Sequence, residues 1–356
     1  MDDANPSPLP PPSPEPRPRV VIKKPPLVWT ETQDLLSKIE KKLGGKVVSY
    51  YVGPDWQMAQ DDVKYFYSHL RNFGWQEKLF FILVSGGGNG MSAWRIASLL
   101  SNFCDELVVV LPERAASAAT MLSLAADKII MTPLAYLTAV DTSLFHPLNP
   151  KDNTNRPVSV ELDEVQRAVN ILIQNQKPKS DRSEAYRNIF NYIHPVAFGA
   201  MERSANLSEM LCRDILELRK KNPLDEKTKK AVIERLNTGY PAHGYPIPRH
   251  RARELGLSIA YSDQELDGLL WSLINTYRFL TEPVRTDLGP ASIHTETIAK
   301  LIESVNSRFI LDNINERRLD PIIKGWSTFK DEFRWISLFE KEEAGQKKIL
   351  QSFLAF

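Results

Sequence analysis

The residues best suited to chemistry fall in two short segments. The first, Ser85-Gly86-Gly87-Gly88-Asn89-Gly90, follows the apolar run LFFILV at 79–84 and opens a helical pattern. Glycines at such a junction let the backbone bend sharply and bring its amides close to a ligand. Two chemistries use a turn of this kind. In one, the amides hold a phosphate. Gly88-x-Gly90-x-x-Ala93 fits the dinucleotide fingerprint, and Glu113 stands at the end of the next strand, where a ribose-binding acid belongs. In the other, the amides form an oxyanion hole that stabilises a tetrahedral intermediate. No Gly-Lys-Ser/Thr follows, which argues against a triphosphate loop.

The second segment is Leu111-Pro112-Glu113-Arg114-Ala115-Ala116-Ser117-Ala118-Ala119-Thr120. It places a serine among alanines at a strand-to-helix junction. A nucleophile on a sharp turn needs small neighbours, because larger side chains would clash with it or cover its hydroxyl. The N-terminus of the helix would favour negative charge developing beside it. The pattern is Ala-x-Ser-x-Ala, not the Gly-x-Ser-x-Gly of α/β hydrolases. Taken alone, a serine in this position is more often a helix N-cap than a nucleophile.

Together, the two segments resemble the ClpP/crotonase superfamily, and within it the serine dehydrogenase proteinase family, which is related to signal peptide peptidase. Three stretches carry the resemblance. LFFILVSGGGNGMSAWRIASLL (79–100) is similar to the family's strand, Gly-Gly turn and Arg-Ile-Ala helix. VVVLPERAASAATMLSLAADKIIMTPLAYLTAVD (108–141) follows its Pro-Glu-Arg-Ala, Ser-Ala-Gly-Thr, Ala-Asp-x-Ile-x-Met and final Asp. AHGYPIPRHRARELGL (242–257) resembles its His-Gly-x-Pro-Ile segment and the helix after it. Two positions differ. The turn reads Ser-Gly-Gly-Gly where the family has Thr-Pro-Gly-Gly, and Ala119 stands where it has Gly.

The resemblance implies a serine peptidase that works through an acyl-enzyme. Its nucleophile would be Ser117. His243 would be the general base that later protonates the leaving group, and Asp141 would orient the imidazole. Gly87, Gly88 and Ala118 would supply the oxyanion amides. His146 competes with His243 as base. A Ser–Lys dyad using Lys151, Lys177 or Lys179 is the other alternative. No metal or organic cofactor is implied, and no lysine motif for pyridoxal phosphate is present. A peptide or protein substrate and a homo-oligomer are expected, with a membrane-protein substrate or partner as one option. The rival classes are a nucleotide- or dinucleotide-binding protein and a non-catalytic ClpP-like scaffold.

The elements that must hold these residues read as an α/β chain. Helical spacing over 30–43 ends at Gly44-Gly45. The strand KVVSYYV (46–52), a helix over 60–72, the buried strand 79–84, a helix over 91–103 and the strand ELVVVL (106–111) follow. A small-residue helix over 117–126 and a strand over 128–132 complete the alternation. It predicts a mostly parallel sheet with helical crossovers, and the resemblance implies that this is a ClpP/crotonase-like core. Helices are expected over 161–176, 182–192, 197–221, 225–236, 249–255 and 264–280, with a short strand at 257–261. The charged, aromatic segment 291–356 reads as helical. The domain reading is a proline-rich tail (1–28), a peptidase domain (29–285, its core to about 150) and a helical C-terminal extension (286–356). His194, before Pro195, reads as a helix terminator. Arg114 either lines the site or pairs with Glu113.

Composition excludes other classes. With 45 Lys+Arg against 44 Asp+Glu, no basic nucleic-acid footprint is expected. Two cysteines, Cys104 and Cys212, cannot make a disulfide framework or a zinc site alone and read as core residues. No apolar run reaches the ~20 residues of a membrane span. Met1 is followed by aspartates and prolines rather than a signal peptide, so a cytoplasmic location is expected. Ten of the 25 prolines lie in residues 1–26. That segment reads as a tether, or as a ligand for a proline-binding module.

Overall fold

A computed structural model describes residues 28–140, 189–289, 291–320, 324–343 and 346–354, with scattered residues between 143 and 187 and at 322. The chain begins α1 (Trp29–Leu43), β1 (Lys46–Val52), α2 (Asp62–Phe73), β2 (Gln76–Val84), α3 (Gly90–Asn102) and β3 (Cys104–Leu111). The short strand β4 (Arg114–Ala115), α4 (Ala118–Ser123), β5 (Lys128–Met131) and β6 (Tyr136–Leu137) follow. After the small pair β7 (Ser143–Leu144) and β8 (Val160–Glu161) come α5 (Pro195–Leu216), α6 (Glu226–Thr238), β9 (Ile247–Pro248), α7 (Arg249–Glu254), β10 (Ile259–Tyr261) and α8 (Gln264–Thr281). Five strands end the chain: β11 (Val284–Gly289), β12 (Ser292–Ser304), β13 (Ser307–Asp320), β14 (Gly325–Glu343) and β15 (Gln346–Leu354). The helices expected over 161–176 and 182–192 lie largely outside the described residues.

The main sheet runs β10-β5-β3-β2-β1-β12-β13-β14-β15, with β11 on β12. From β10 to β1 every pairing is parallel. From β1 onward every pairing is antiparallel. Side-chain alternation along the strands divides the core into two layers. Val47, Tyr51, Phe80, Ile82, Val108 and Val110 pack against α1 and α8. Val48, Tyr50, Phe81, Leu83, Val109 and Leu111 pack beneath α2 to α6. Parallel strands covered on both faces are apolar where they are covered, which is why the runs at 79–84 and 107–111 are continuous.

The structure corrects two expectations. The sheet is mixed rather than mostly parallel, and the C-terminal segment is not a helical extension. It forms strands, and β12 pairs directly with β1. Its charges suggested a helix surface, yet several are buried in pairs. Lys300 Nζ lies 2.9 Å from both Asp62 carboxylate oxygens, and Arg308 lies 2.9 Å from Glu303. The turn Val305-Asn306 joins β12 to β13, with Asn306 at φ 66°, a left-handed conformation that Asn tolerates.

Cys104 and Cys212 are buried in the core, and burial pushes both thiols up to about 12. His194 opens a helix instead of ending one. Its Nδ1 accepts the Val196 amide at 3.1 Å as the N-cap of α5, with Pro195 in the first turn.

Candidate active site

The glycine loop after β2 is held on two sides. Ser85 pairs with β4, its amide donating to Arg114 O at 3.1 Å and its carbonyl accepting from Ala116 N at 3.0 Å. Met58 clasps the other side, donating to Gly87 O at 2.8 Å and accepting from Asn89 N at 3.0 Å. Gly87 has φ 106° and Gly88 φ 139°, values that favour glycine. A Cβ on Gly88 would stand 2.5 Å from the Met58 backbone, and one on Gly87 would stand 2.7 Å from Ala116 O and 2.9 Å from Ser117 Cβ. The loop therefore lies directly against the serine turn. Asn89, which the sequence reading left without a role, caps α3 by accepting the Ser92 amide at 2.9 Å.

Ser117 precedes α4 with φ 51° and ψ −118°, a region almost closed to non-glycine residues. Its side chain makes no capping hydrogen bond. Of the two local roles open to this serine, the structure thus removes the N-cap. Its strained backbone stands at a sharp strand-to-helix turn.

A cleft of about 530 Å³ opens at this turn. Gly86, Gly88, Asn89, Gly90 and Met91 line it from the glycine loop and the start of α3, and Ser117, Ala118 and Met121 from the serine turn and α4. Ser204, Leu207, Ser208 and Leu211, on one face of α5, line the opposite side together with His243. Ser117 and His243, 126 positions apart in the chain (243 − 117), thus share one cavity.

A small three-stranded sheet, β4-β6-β9, accounts for this convergence. Arg114 and Ala115 pair with Tyr136 and Leu137, which pair in turn with Pro248 and Ile247. Ser117 follows β4 by two residues, and His243 precedes β9 by four. In sequence, Asp141 follows β6 by four residues but lies outside the described residues, as do His146, Lys177 and Lys179. Val140, just before it, is fixed from two sides: its amide donates to Leu236 O at 2.9 Å and its carbonyl accepts from Ser208 Oγ at 2.9 Å. Lys151 is exposed and does not line the cleft.

The three amides expected in the oxyanion role differ in their hydrogen bonding. The Gly87 amide donates to Ser85 Oγ at 3.0 Å and so is already engaged. The Gly88 and Ala118 amides are left out of the turn hydrogen bonds around them, and both residues line the cleft. Arg114 neither lines the cleft nor pairs with Glu113. Glu113 is held by Arg278 of α8, at 2.5 Å. The carboxylate that the dinucleotide reading requires is thus tied to a cation. Among the described residues, no three His, Cys, Asp or Glu side chains gather to hold a metal ion, and no helix is long and apolar enough to cross a membrane.

No family model matches the chain. Over 204 residues it is 27% identical to the uncharacterized protein MJ0137 of Methanocaldococcus jannaschii, a match covering 57% of this chain and 59% of that protein. The chain thus spans about three fifths of the length of this curated relative. Among solved structures, a 1510-N membrane-bound stomatin-specific protease in a Ser-to-Ala variant aligns at TM-score 0.35 and 10% identity, covering 64% of this chain and 82% of its own. ClpP1 from Listeria monocytogenes, in an Asn-to-Asp variant, aligns at TM-score 0.33 and 12% identity, covering 64% and 99%. Scores this low do not establish a shared fold.

Proposed function

We propose that the chain is a serine peptidase of ClpP/crotonase type, acting on peptide bonds through an acyl-enzyme on Ser117. The observation that carries this reading is the conformation of Ser117. It has a left-handed backbone and no capping bond, and it faces a cleft that also holds His243. The sequence resemblance at 79–100, 108–141 and 242–257 supports the same assignment independently.

In this mechanism His243 accepts the Ser117 hydroxyl proton as Oγ attacks the scissile carbonyl. The developing oxyanion is taken by the Gly88 and Ala118 amides, oriented in advance by the Met58 clasp and the serine turn. The imidazolium then returns the proton to the leaving amine. Water, deprotonated by the same histidine, hydrolyses the ester. Asp141 orients the imidazole. The substrate is a peptide or protein, with a membrane protein as one option, and the chain acts as a homo-oligomer.

The test is labelling with a fluorophosphonate, followed by mapping of the modified residue. A single adduct on Ser117 is expected. An intact protein that takes no label, or takes it elsewhere, overturns the reading. His243→Ala and Asp141→Asn should each slow acylation by orders of magnitude, and the double variant should lose little more, because the two act as one unit. Full activity in His243→Ala would redirect the assignment to a lysine dyad.

A further inference from the structure

The strained Ser117 backbone needs a structural cause, and it has one in two buried threonines. The Ser117 amide donates to Thr138 Oγ1 at 2.8 Å. Thr138 Oγ1 in turn donates to Ala139 O at 2.9 Å. The Thr138 amide donates to Thr120 Oγ1 at 3.0 Å, and Thr120 Oγ1 donates to Ala115 O at 2.7 Å. Each hydroxyl therefore uses its one proton and accepts one amide. Both side chains are almost fully buried, at 0% and 3% exposure, so water cannot replace them. The chain of bonds ties the last residue of β4, the nucleophile's amide, the first turn of α4 and the residue after β6 into one closed circuit. Without it, the Ser117 amide would lose its partner, and the backbone would be drawn towards an ordinary negative φ.

We propose that Thr138 and Thr120 are positioning residues, a hydroxyl latch that holds Ser117 in its left-handed conformation and so aims Oγ into the cleft. The proposal rests on the assignment of Ser117 as nucleophile, but the latch itself can be tested without activity. Neither threonine lines the cleft, so neither touches substrate. Thr138→Val keeps the volume and removes the acceptor, whereas Thr138→Ser keeps the acceptor.

Two measurements test it. In the first, Thr138→Val should slow fluorophosphonate labelling of Ser117 by about tenfold to a hundredfold, the range in which small misplacements of reacting groups fall. Thr138→Ser should restore the rate to within about threefold. Substrate KM should hold while kcat falls. Wild-type labelling of Thr138→Val overturns the proposal. In the second, Thr138→Val is made with and without Ser117→Gly, and Tm is read for all four proteins. Glycine adopts positive φ without strain, so Thr138→Val should cost clearly less in that background. Equal Tm losses in both backgrounds would make Thr138 a simple packing residue and overturn the latch. If the wild-type chain takes no label at all, the peptidase reading fails, and the Tm cycle alone decides the latch.

Discussion

The two halves of the main sheet bury their polar groups in opposite ways. From β10 to β1 the strands are parallel and largely apolar on both faces, and the loops after β2 and β4 line the cleft. From β12 to β15 they are antiparallel, and charges lie inside. Lys300 and Asp62 are 4% and 1% exposed, and Arg308 and Glu303 are at 0%. Asp62 also accepts Tyr50 OH at 2.6 Å and the Ala59 amide at 2.7 Å, so its carboxylate fastens β1, α2 and β12 together. The first half keeps its strands largely apolar and opens the candidate cleft at one end of them. The second uses buried ion pairs to fix where a long, otherwise polar strand docks. A buried pair of this kind adds little net stability, but breaking it leaves an unmatched charge.

That contrast predicts effects of opposite kinds. The largest is loss of chemistry at the strand ends: Ser117→Ala should abolish labelling and turnover while unfolding free energy stays within about 1 kcal/mol of wild type. Lys300→Met should do the reverse. It strands the Asp62 carboxylate and should destabilise by about 3–5 kcal/mol in denaturant titration, while folded molecules label at the wild-type rate. A Lys300→Met protein as stable as wild type would dissolve the distinction between the halves. Gly88→Ala brings both concerns to one residue. Its Cβ would meet the Met58 backbone at 2.5 Å, and its φ of 139° suits only glycine. A loss of roughly 1–3 kcal/mol is expected, together with slower labelling as the oxyanion amide shifts.

An effect confined to acid pH concerns His69, buried between α2 and β13 with Ser307 Oγ at 3.2 Å from Nδ1. Burial lowers its pKa from 6.5 to about 3. Between those values the unfolded chain binds more protons, so stability rises with pH and is lost as pH falls below 6.5. The histidine contributes a slope of at most about 1.4 kcal/mol per pH unit. His69→Phe should flatten the curve over that range, read from denaturant midpoints at several pH values. An unchanged slope would show that other groups carry the acid sensitivity.

The parallel half was legible because its signals are local. Continuous apolar runs, Gly44 after α1 and the alanines around Ser117 each report on their own neighbourhood. The residues that the structure gathers at one cleft, Ser117 and the glycine turn among them, stood out in the sequence for the same reason. Several features were not. That Gly87 is engaged by Ser85 while Gly88 is not depends on which amide a side chain two residues away captures. That the Ser117 amide is held depends on Thr138, the residue just after β6 and 21 positions away in the chain. The C-terminal strands were misread because Lys300, Glu303, Arg308 and Asp312 look like a solvated helix face until their partners are known. Asn306, between the segments TIAKLIES (297–304) and RFILDNI (308–314), was the available hairpin signal.

The seating of β12 on β1 also governs the order of assembly. Thr32 of α1 donates to Glu303 across 271 residues of chain, and Lys300 reaches Asp62 across 238. A ribosome delivers β1 and its neighbours long before the strand that closes their open edge. Until then β1, with its apolar side chains, presents an edge of unpaired backbone N–H and C=O groups, the sort of surface that recruits another chain. Contacts so distant in sequence also make folding slow, because loop closure must precede the gain they bring. Nascent chains stalled short of residue 300 should therefore be the species most prone to aggregation and most dependent on chaperones.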